Sequence, residues 1–232
     1  MQTNPRPPDL DAEFWPLHEA CRIATMTSVE RLFALYKAVE YLVRHDIAGD
    51  FVECGVWRGG SVMMMALALQ KLGAKRKIHC FDTFEGMSPP TGADIRHDTG
   101  ESAASILARS ERHEGDHMWG IAGLDLVTKN VASTGYPLDL VSFCKGKVEE
   151  TIPGSAPDRI ALLRLDTDWY ESTRHELVHL YPRLVPGGVL IVDDYGFWRG
   201  ARKAVDEYFH EAGEKIFLNR IDYTGRMAIR GQ

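Results

Sequence analysis

Short apolar runs alternate regularly with segments of helical character along this chain, and this alternation restricts its fold more than any other feature. The five runs that predict strands are residues 50–56, 77–82, 138–144, 160–165 and 189–192. The segments that predict helices are residues 28–41, 62–72, 119–133 and 171–184. Apolar strands that are separated by helices indicate a parallel sheet with helices on both faces.

The last part of the chain departs from this alternation. Residues 215–221 and 226–230 each have the character of a strand, and only residues 222–225 separate them. Such a link is too short for a parallel crossover but suits an antiparallel hairpin. We therefore predict an α/β fold with a seven-stranded, mostly parallel sheet, an antiparallel C-terminal hairpin and helices on both faces.

The length of 232 residues suits one domain, and we expect residues 1–232 to form it. The chain begins with a polar, proline-rich segment, and we expect residues 1–26 to form an N-terminal arm. Residues 84–118 are rich in glycine, proline, aspartate and histidine and have no steady period. A stretch of that length without regular structure is typical of a functional or mobile insertion, here a lid.

Composition excludes several classes of partner. The formal charge of -6 comes without a long run of one sign, so the basic surface of a nucleic-acid-binding protein is not expected. No apolar stretch approaches the roughly 20 residues that cross a bilayer, and the start of the chain has no apolar leader. The 4 cysteines lack CxxC spacing and are predicted to be reduced thiols. We expect a cytoplasmic homo-oligomer without nucleic-acid or membrane partners.

Glycines cluster after the first predicted strand. Gly55 and Gly59 would let backbone approach a ligand, although turns after strands also use glycine for conformational reasons alone. Trp57 takes the place of the middle glycine of a dinucleotide motif, where it would crowd a pyrophosphate. Asp82 ends the second strand, where it would accept hydrogen bonds from a ribose diol or cap a turn, and Ser61 suits a helix N-cap. The candidate cofactor-binding residues are Glu53, Gly55, Trp57, Gly59, Ser61 and Asp82.

Carboxylates follow the fourth and fifth predicted strands. Asp166 ends the fourth strand, and Asp193 and Asp194 end the fifth, with no lysine near them in the sequence. Like charges that lie close together need a proton or a cation between them, and oxygen ligands suit Mg²⁺. We interpret Asp166, Asp193 and Asp194 as a magnesium site; the alternative is that they cap helices and face solvent.

Asp168 lies two residues beyond Asp166 and is a candidate general base. A carboxylate is a weak base for an alcohol, so this role requires a metal that acidifies the hydroxyl. Asp168 would otherwise cap the following helix.

Trp169 and Trp198 lie near these carboxylates in the sequence and either wall a substrate pocket or pack in the core. His175 and His179 are four residues apart but lack a third ligand, so zinc is not expected.

Four motifs together carry a resemblance to a known family. They are residues 51–60 (FVECGVWRGG), 81–87 (FDTFEGM), 163–172 (LRLDTDWYES) and 180–188 (LYPRLVPGG), the last followed by 193–196 (DDYG). With them, the chain resembles the macrocin O-methyltransferase family of antibiotic-sugar methyltransferases, which is similar in layout to catechol O-methyltransferases. The resemblance covers most of residues 27–230.

This resemblance implies a Rossmann-like class I methyltransferase that binds S-adenosylmethionine and Mg²⁺. It implies that Glu53, Gly55 and Gly59 lie near the amino-acid part of the cofactor and Asp82 at its ribose. It also implies a metal on Asp166, Asp193 and Asp194, with Asp166 and Asp168 as the candidate catalytic residues. The implied acceptor is a sugar hydroxyl on a macrolide or aminocoumarin, that is, a glycosylated natural product.

Three other functions remain open from the sequence. One is methylation of a catechol-like or other small-molecule hydroxyl. A second is a nicotinamide-dependent oxidoreductase, against which Trp57 and the acidic residues count. A third is a non-catalytic module that binds a small ligand on the same fold.

Overall fold

In the computed structural model, which describes residues 6–113 and 116–231, seven strands form one sheet. The strands are β1 (Asp50–Cys54), β2 (Ile78–Asp82), β3 (Val141–Lys145), β4 (Ile160–Leu165), β5 (Leu184–Val192), β6 (Asn219–Arg220) and β7 (Arg226–Ile229). Their order is β3-β2-β1-β4-β5-β7-β6; β1 to β5 are parallel, and β7 is antiparallel to both β5 and β6. The predicted α/β fold with its antiparallel C-terminal hairpin is confirmed.

Helices cover both faces of this sheet. They are α1 (Phe14–Cys21), α2 (Val29–Arg44), α3 (Gly60–Lys71), α4 (Ala103–Arg109), α5 (Leu124–Ala132), α6 (Val148–Thr151), α7 (Tyr170–Leu180) and α8 (Arg199–Ala212). One apolar cluster lies under α1, α2, α3 and α5, and a second lies under α6, α7 and α8. Because side chains alternate along a strand, Phe51 and Leu162 join the first cluster, while Val52 and Leu163 join the second.

The start of α3 differs from the prediction. Gly59, not Ser61, is the N-cap, and Ser61 lies inside the helix. Gly59 has a φ of 88°, which glycine adopts without strain. A Cβ on Gly60 would come within 2.6 Å of the Ala24 carbonyl oxygen, so α3 begins in close contact with the segment that leads into α2.

The predicted N-terminal arm contains regular structure. Its described part includes α1, in which Phe14 and Cys21 are fully buried. The Phe14 ring packs edge-on against Phe33 of α2, with 5.2 Å between ring centroids. Residues 1–5 of the arm lie outside the described part of the chain. Within the described part of this segment, α1 therefore packs on α2 and α3.

The predicted insertion is also partly regular. It contains α4, which buries Ala103, Ile106 and Leu107 in a third apolar cluster beside Trp169 and Trp198. Residues 114–115 of the insertion lie outside the described residues. The helix predicted at 119–133 begins only at Leu124. Within residues 6–113 and 116–231, no helix has the length and apolar character needed to cross a membrane.

Candidate active site

The carboxyl ends of the central strands open into one cleft of about 410 Å³. Such a site, outside the strand ends of a parallel sheet, is the expected place for a ligand. The predicted site residues that line the cleft are Glu53, Gly55, Trp57, Ser61, Asp82, Asp166, Asp168, Asp193 and Asp194. Gly59 is not among the lining residues and instead caps α3.

The turn after β1 brings two strand ends into close contact. Gly55 has a φ of 80°, and a Cβ there would lie 2.0 Å from the carbonyl oxygen of Asp166. Trp57 has a φ of 47°, a left-handed conformation that large residues rarely adopt. Its indole Nε1 is buried and has no hydrogen-bond partner among the described residues. The turn therefore offers the cleft a free N–H donor.

Asp82 braces this turn. Its Oδ2 accepts hydrogen bonds from the backbone N–H groups of Val56 (2.6 Å) and Trp57 (3.0 Å), and its Oδ1 accepts one from Phe84 (2.7 Å). Burial raises the pKa of Asp82, and these backbone donors oppose the rise. Asp82 thus caps two turns while it lines the cleft, so the capping role that the sequence left open is present.

Glu53 is a buried carboxylate with one unsatisfied oxygen. Its Oε1 accepts a hydrogen bond from Arg164 Nη1 at 2.5 Å, whereas Oε2 has no partner in the described part of the chain. Burial raises the pKa of Glu53 to about 7, and Arg164 acts against that rise. A buried oxygen of this kind suits a cationic ligand group, such as an ammonium.

Sequence reasoning missed the two arginines that neutralise the acidic residues. Arg164, the second-last residue of β4, donates to Asp166 Oδ2 at 2.7 Å and to Asp193 Oδ1 at 2.5 Å. Arg31, in α2, donates to Asp193 Oδ2 and to Asp222 Oδ2, the latter at 3.0 Å. The sequence contains a signal for Arg164, because an arginine inside an otherwise apolar, buried strand needs a buried partner of opposite charge.

Asp193 differs from the other carboxylates in its hydrogen-bond partners. Both of its oxygens accept hydrogen bonds from arginines, and its side chain is buried. A carboxylate that already balances two guanidinium groups has little capacity left for a metal ion. Of the predicted metal ligands, Asp193 fits the role least well.

The remaining carboxylates form a compact cluster. Oxygens of Asp166, Asp168 and Asp194 lie within 4.8 Å of one another, the one such grouping among residues 6–113 and 116–231. Asp194 Oδ2 is buried without a partner in the same part of the chain. Burial raises the pKa of Asp168 to about 7 and that of Asp194 well above its usual range. Without a cation these groups have to hold protons, and an all-oxygen set of this kind fits Mg²⁺.

The insertion and two tryptophans close one side of the cleft. Trp169 and Trp198 pack edge-on with 5.0 Å between ring centroids, and Trp169 Nε1 donates to the Ser88 carbonyl at 2.9 Å. Both rings are buried and both line the cleft, so they serve the pocket wall and the core at once. Met26 and Tyr223 also line the cleft and are about half exposed.

Comparison with known proteins gives a consistent set of relatives. The profile of the family described as Macrocin-O-methyltransferase (TylF) matches residues 10–229. A Streptomyces olivaceus protein, 8-demethyl-8-(2,3-dimethoxy-alpha-L-rhamnosyl)-tetracenomycin-C 4'-O-methyltransferase, is 37% identical over 202 residues, which is 87% of this chain and 73% of the relative. Mycinamicin III 3''-O-methyltransferase of Micromonospora griseorubida is 33% identical over 203 residues (87% and 76%).

Solved structures agree with this. The O-methyltransferase NovP superposes with a TM-score of 0.76 at 30% identity and covers 90% of this chain and 83% of its own. The calicheamicin methyltransferase CalS11, at 16% identity and a TM-score of 0.67, shares the fold over 95% of this chain and 93% of its own.

Proposed function

The chain belongs to the macrocin O-methyltransferase family, and we propose that this enzyme moves the methyl group of S-adenosylmethionine to a sugar hydroxyl of a glycosylated natural product. One observation carries the proposal: a single cleft contains both a half-satisfied carboxylate beside a glycine turn and a compact cluster of carboxylates. The first suits the cofactor and the second suits an activated hydroxyl. The named relatives methylate a rhamnosyl tetracenomycin and mycinamicin III.

The cofactor half of the cleft is formed by the turns after β1 and β2. We propose that Glu53 Oε2 accepts a hydrogen bond from the amino group of S-adenosylmethionine. This oxygen is buried and has no partner among the described residues, whereas Oε1 is paired with Arg164. The Trp57 indole N–H, which is also unpartnered, suits the carboxylate of the same cofactor. Asp82 retains lone pairs for the ribose diol beside the three backbone groups that it already binds.

The acidic half fits Mg²⁺, and we propose Asp166, Asp168 and Asp194 as its ligands. This differs from the set that the sequence resemblance implied, because Asp193 is held by Arg31 and Arg164. When bound, the ion acidifies and orients the acceptor hydroxyl. Asp168 has two carboxylate oxygens, so one remains to accept the hydroxyl proton once the hydroxyl is acidified.

The remaining residues of the cleft position the two substrates and shield them from water. Methyl transfer requires sulfur, methyl carbon and oxygen in line, so fixed placement of both substrates supplies much of the rate. Trp169 and Trp198 form an apolar wall beside Asp168 and limit the access of water. Asp94 is fully buried and accepts a hydrogen bond from the Tyr170 backbone N–H at 2.8 Å, which ties the insertion to the start of α7.

The direct test is methyl transfer from labelled S-adenosylmethionine to a panel of acceptors, with and without a chelator. The panel pairs each glycosylated polyketide or aminocoumarin with its aglycone and includes a simple catechol. We expect labelled product only from glycosylated members, and loss of that product with chelator. Transfer to the catechol and the aglycones alone would contradict the sugar assignment, and tight binding of NADH without binding of S-adenosylhomocysteine would contradict the reaction class.

A further inference from the structure

Arg164 is a buried arginine whose guanidinium contacts the ends of three neighbouring strands. Nη1 donates to Glu53 Oε1 at 2.5 Å and to Asp166 Oδ2 at 2.7 Å. Nη2 donates to Asp193 Oδ1 at 2.5 Å and to Thr27 Oγ1 at 3.2 Å. The side chain is 2% exposed, so these contacts replace its hydration almost completely.

The position of this cation is unusual for a structural ion pair. A buried charge is costly to desolvate and is weak evidence for stability by itself. Here the charge lies between the carboxylate proposed to bind the cofactor and the carboxylates of the acidic half. Glu53 and Asp166 share the Nη1 group of Arg164, and Asp193 accepts from Nη2.

The contact with Arg164 affects both the orientation of the Glu53 carboxylate and its pKa. Arg164 occupies Oε1, which leaves Oε2 as the unpartnered oxygen in a residue that lines the cleft. The other titratable groups that act on Glu53 from neighbouring strands are Asp193, Asp82 and the Cys80 thiol. None of these three is cationic, so none offsets the negative charge of Glu53.

We infer that Arg164 is a positioning residue for the cofactor: it favours the ionised form of Glu53 and directs its free oxygen to the amino group of S-adenosylmethionine. The inference rests on the proposed function, since it assumes that Glu53 binds that amino group. Arg164 itself touches neither the cofactor nor the acceptor in this account.

The test is calorimetric titration of the full chain with S-adenosylhomocysteine between pH 6 and pH 9. For Arg164→Met we expect at least a tenfold loss of affinity at pH 7, because Glu53 takes up a proton once its partner is absent. We expect most of that affinity to return at pH 9, because Glu53 ionises again. Arg164→Lys retains the positive charge but not the two guanidinium NH2 groups that donate in different directions. It should lose less affinity for S-adenosylhomocysteine than Arg164→Met.

A matched control is Arg183→Met. Arg183 donates to the carbonyl oxygens of Ala156 and Pro157, near the amino ends of β4 and β5 and away from the cleft. The same chemical change there should leave the affinity for S-adenosylhomocysteine within twofold of the wild type at every pH. It controls for the loss of a partly buried arginine that hydrogen-bonds far from the cleft.

A double-mutant cycle separates positioning from general structural damage. If Arg164 acts through Glu53, then Glu53→Gln and the Glu53→Gln/Arg164→Met double variant bind S-adenosylhomocysteine equally well, within twofold. Independent structural losses would add instead. Additive losses, or an Arg164→Met affinity that stays within twofold of wild type at all pH values, would overturn the inference.

Should Arg164→Met fail to fold, Arg164→Lys carries the same test through its pH profile. An upward shift of the pH midpoint for binding supports the inference, and an unchanged midpoint overturns it. A wild type that binds no S-adenosylhomocysteine overturns the proposed function and this inference together. A wild type that binds it beside unaffected variants overturns this inference alone.

Discussion

Three residues of the cleft region adopt a backbone conformation that side chains rarely take. Trp57, Phe84 and Asp168 have φ values of 47°, 53° and 66°, and they follow the ends of β1, β2 and β4 respectively. Each such residue costs on the order of 1 kcal/mol or more, and the cost is usually retained where a site needs the geometry. Aspartate and asparagine tolerate the left-handed region best, so Asp168→Asn changes the charge with little effect on the backbone.

We predict that Asp168 contributes more to Mg²⁺ binding than Asp193 does. We expect Asp168→Asn to weaken Mg²⁺ binding at least tenfold, because it removes one of the three clustered carboxylates. Asp193→Asn should stay within about threefold of the wild type, since its oxygens face Arg31 and Arg164. Calorimetry with Mg²⁺ measures both. The reverse order would restore the ligand set implied by the resemblance, and melting curves confirm that each variant is folded.

A second prediction concerns Glu53. Burial raises its pKa to about 7, so the affinity for S-adenosylhomocysteine should fall as the pH drops from 8 to 6, because the protonated carboxyl no longer balances an ammonium. Glu53→Gln should bind more weakly and show no such slope. A slope that persists in Glu53→Gln would assign the titration to another group.

At the residue scale, the sequence indicates the acidic residues of the cleft but not their ion-pair partners. Asp166, Asp168 and Asp194 were identified because they follow apolar strands, whose ends meet at one edge. The pairing of Asp193 with Arg31 could not be predicted, because Arg31 lies 162 residues away in the chain. Such a pairing is decided by how α2 packs on the sheet, which local sequence does not specify.

At the scale of helices and strands, the bounds predicted from sequence periodicity agree best with the structure where the pattern is long or fully apolar. The strands β1, β2 and β4 were predicted to within two residues, because every strand in a covered parallel sheet is buried on both faces. Helix α1 was missed, since it is short and has a proline in its first turn. Helix α8 was also not predicted, although its buried residues have regular helical spacing: Ala201, Ala204, Val205, Tyr208 and Phe209.

We predict that Asp94 anchors the insertion to the start of α7. Asp94 accepts hydrogen bonds from the Thr91 backbone N–H (2.6 Å) and hydroxyl (2.9 Å) and from the Tyr170 N–H (2.8 Å). Asp94→Ala leaves three partly buried donors unpaired, and about 1–3 kcal/mol, the cost for a fully buried group, is the upper range for each. We expect faster proteolysis within residues 84–113 and a raised KM for the acceptor, with the affinity for S-adenosylhomocysteine nearly unchanged.

Limited proteolysis and steady-state kinetics measure these effects. Asp98→Ala is a matched control, because Asp98 lies in the same insertion but pairs with Arg96 in a more exposed position. It should leave both the cleavage rate and the KM close to wild-type values. Equal effects of the two substitutions would show that Asp94 does not anchor the insertion.

For the whole molecule, the raised carboxyl pKa values link stability to pH and to magnesium. Glu53 and Asp168 have folded-state pKa values of about 7, above their ordinary 4.5 and 3.8. Their contribution to stability is therefore complete below about pH 4 and is lost as the pH rises through 7. Mg²⁺ binds the ionised carboxylates, so it should offset this loss where it is largest.

We therefore expect a saturating concentration of Mg²⁺ to raise the Tm by several degrees at pH 8 and hardly at all at pH 5.5. Differential scanning fluorimetry with and without chelator measures this difference. Asp194→Asn should abolish the increase at pH 8, because it removes a clustered carboxylate with an unpartnered oxygen. An increase of the same size at both pH values would indicate that the ion binds elsewhere.

The most direct test of the whole account is a crystal structure of the protein with S-adenosylhomocysteine and Mn²⁺, which replaces Mg²⁺ and gives an anomalous signal. We predict the cofactor amino group on Glu53 and the anomalous peak among Asp166, Asp168 and Asp194, in the same cleft. A peak on Asp193, or a cofactor outside the turns that follow β1 and β2, would contradict the account.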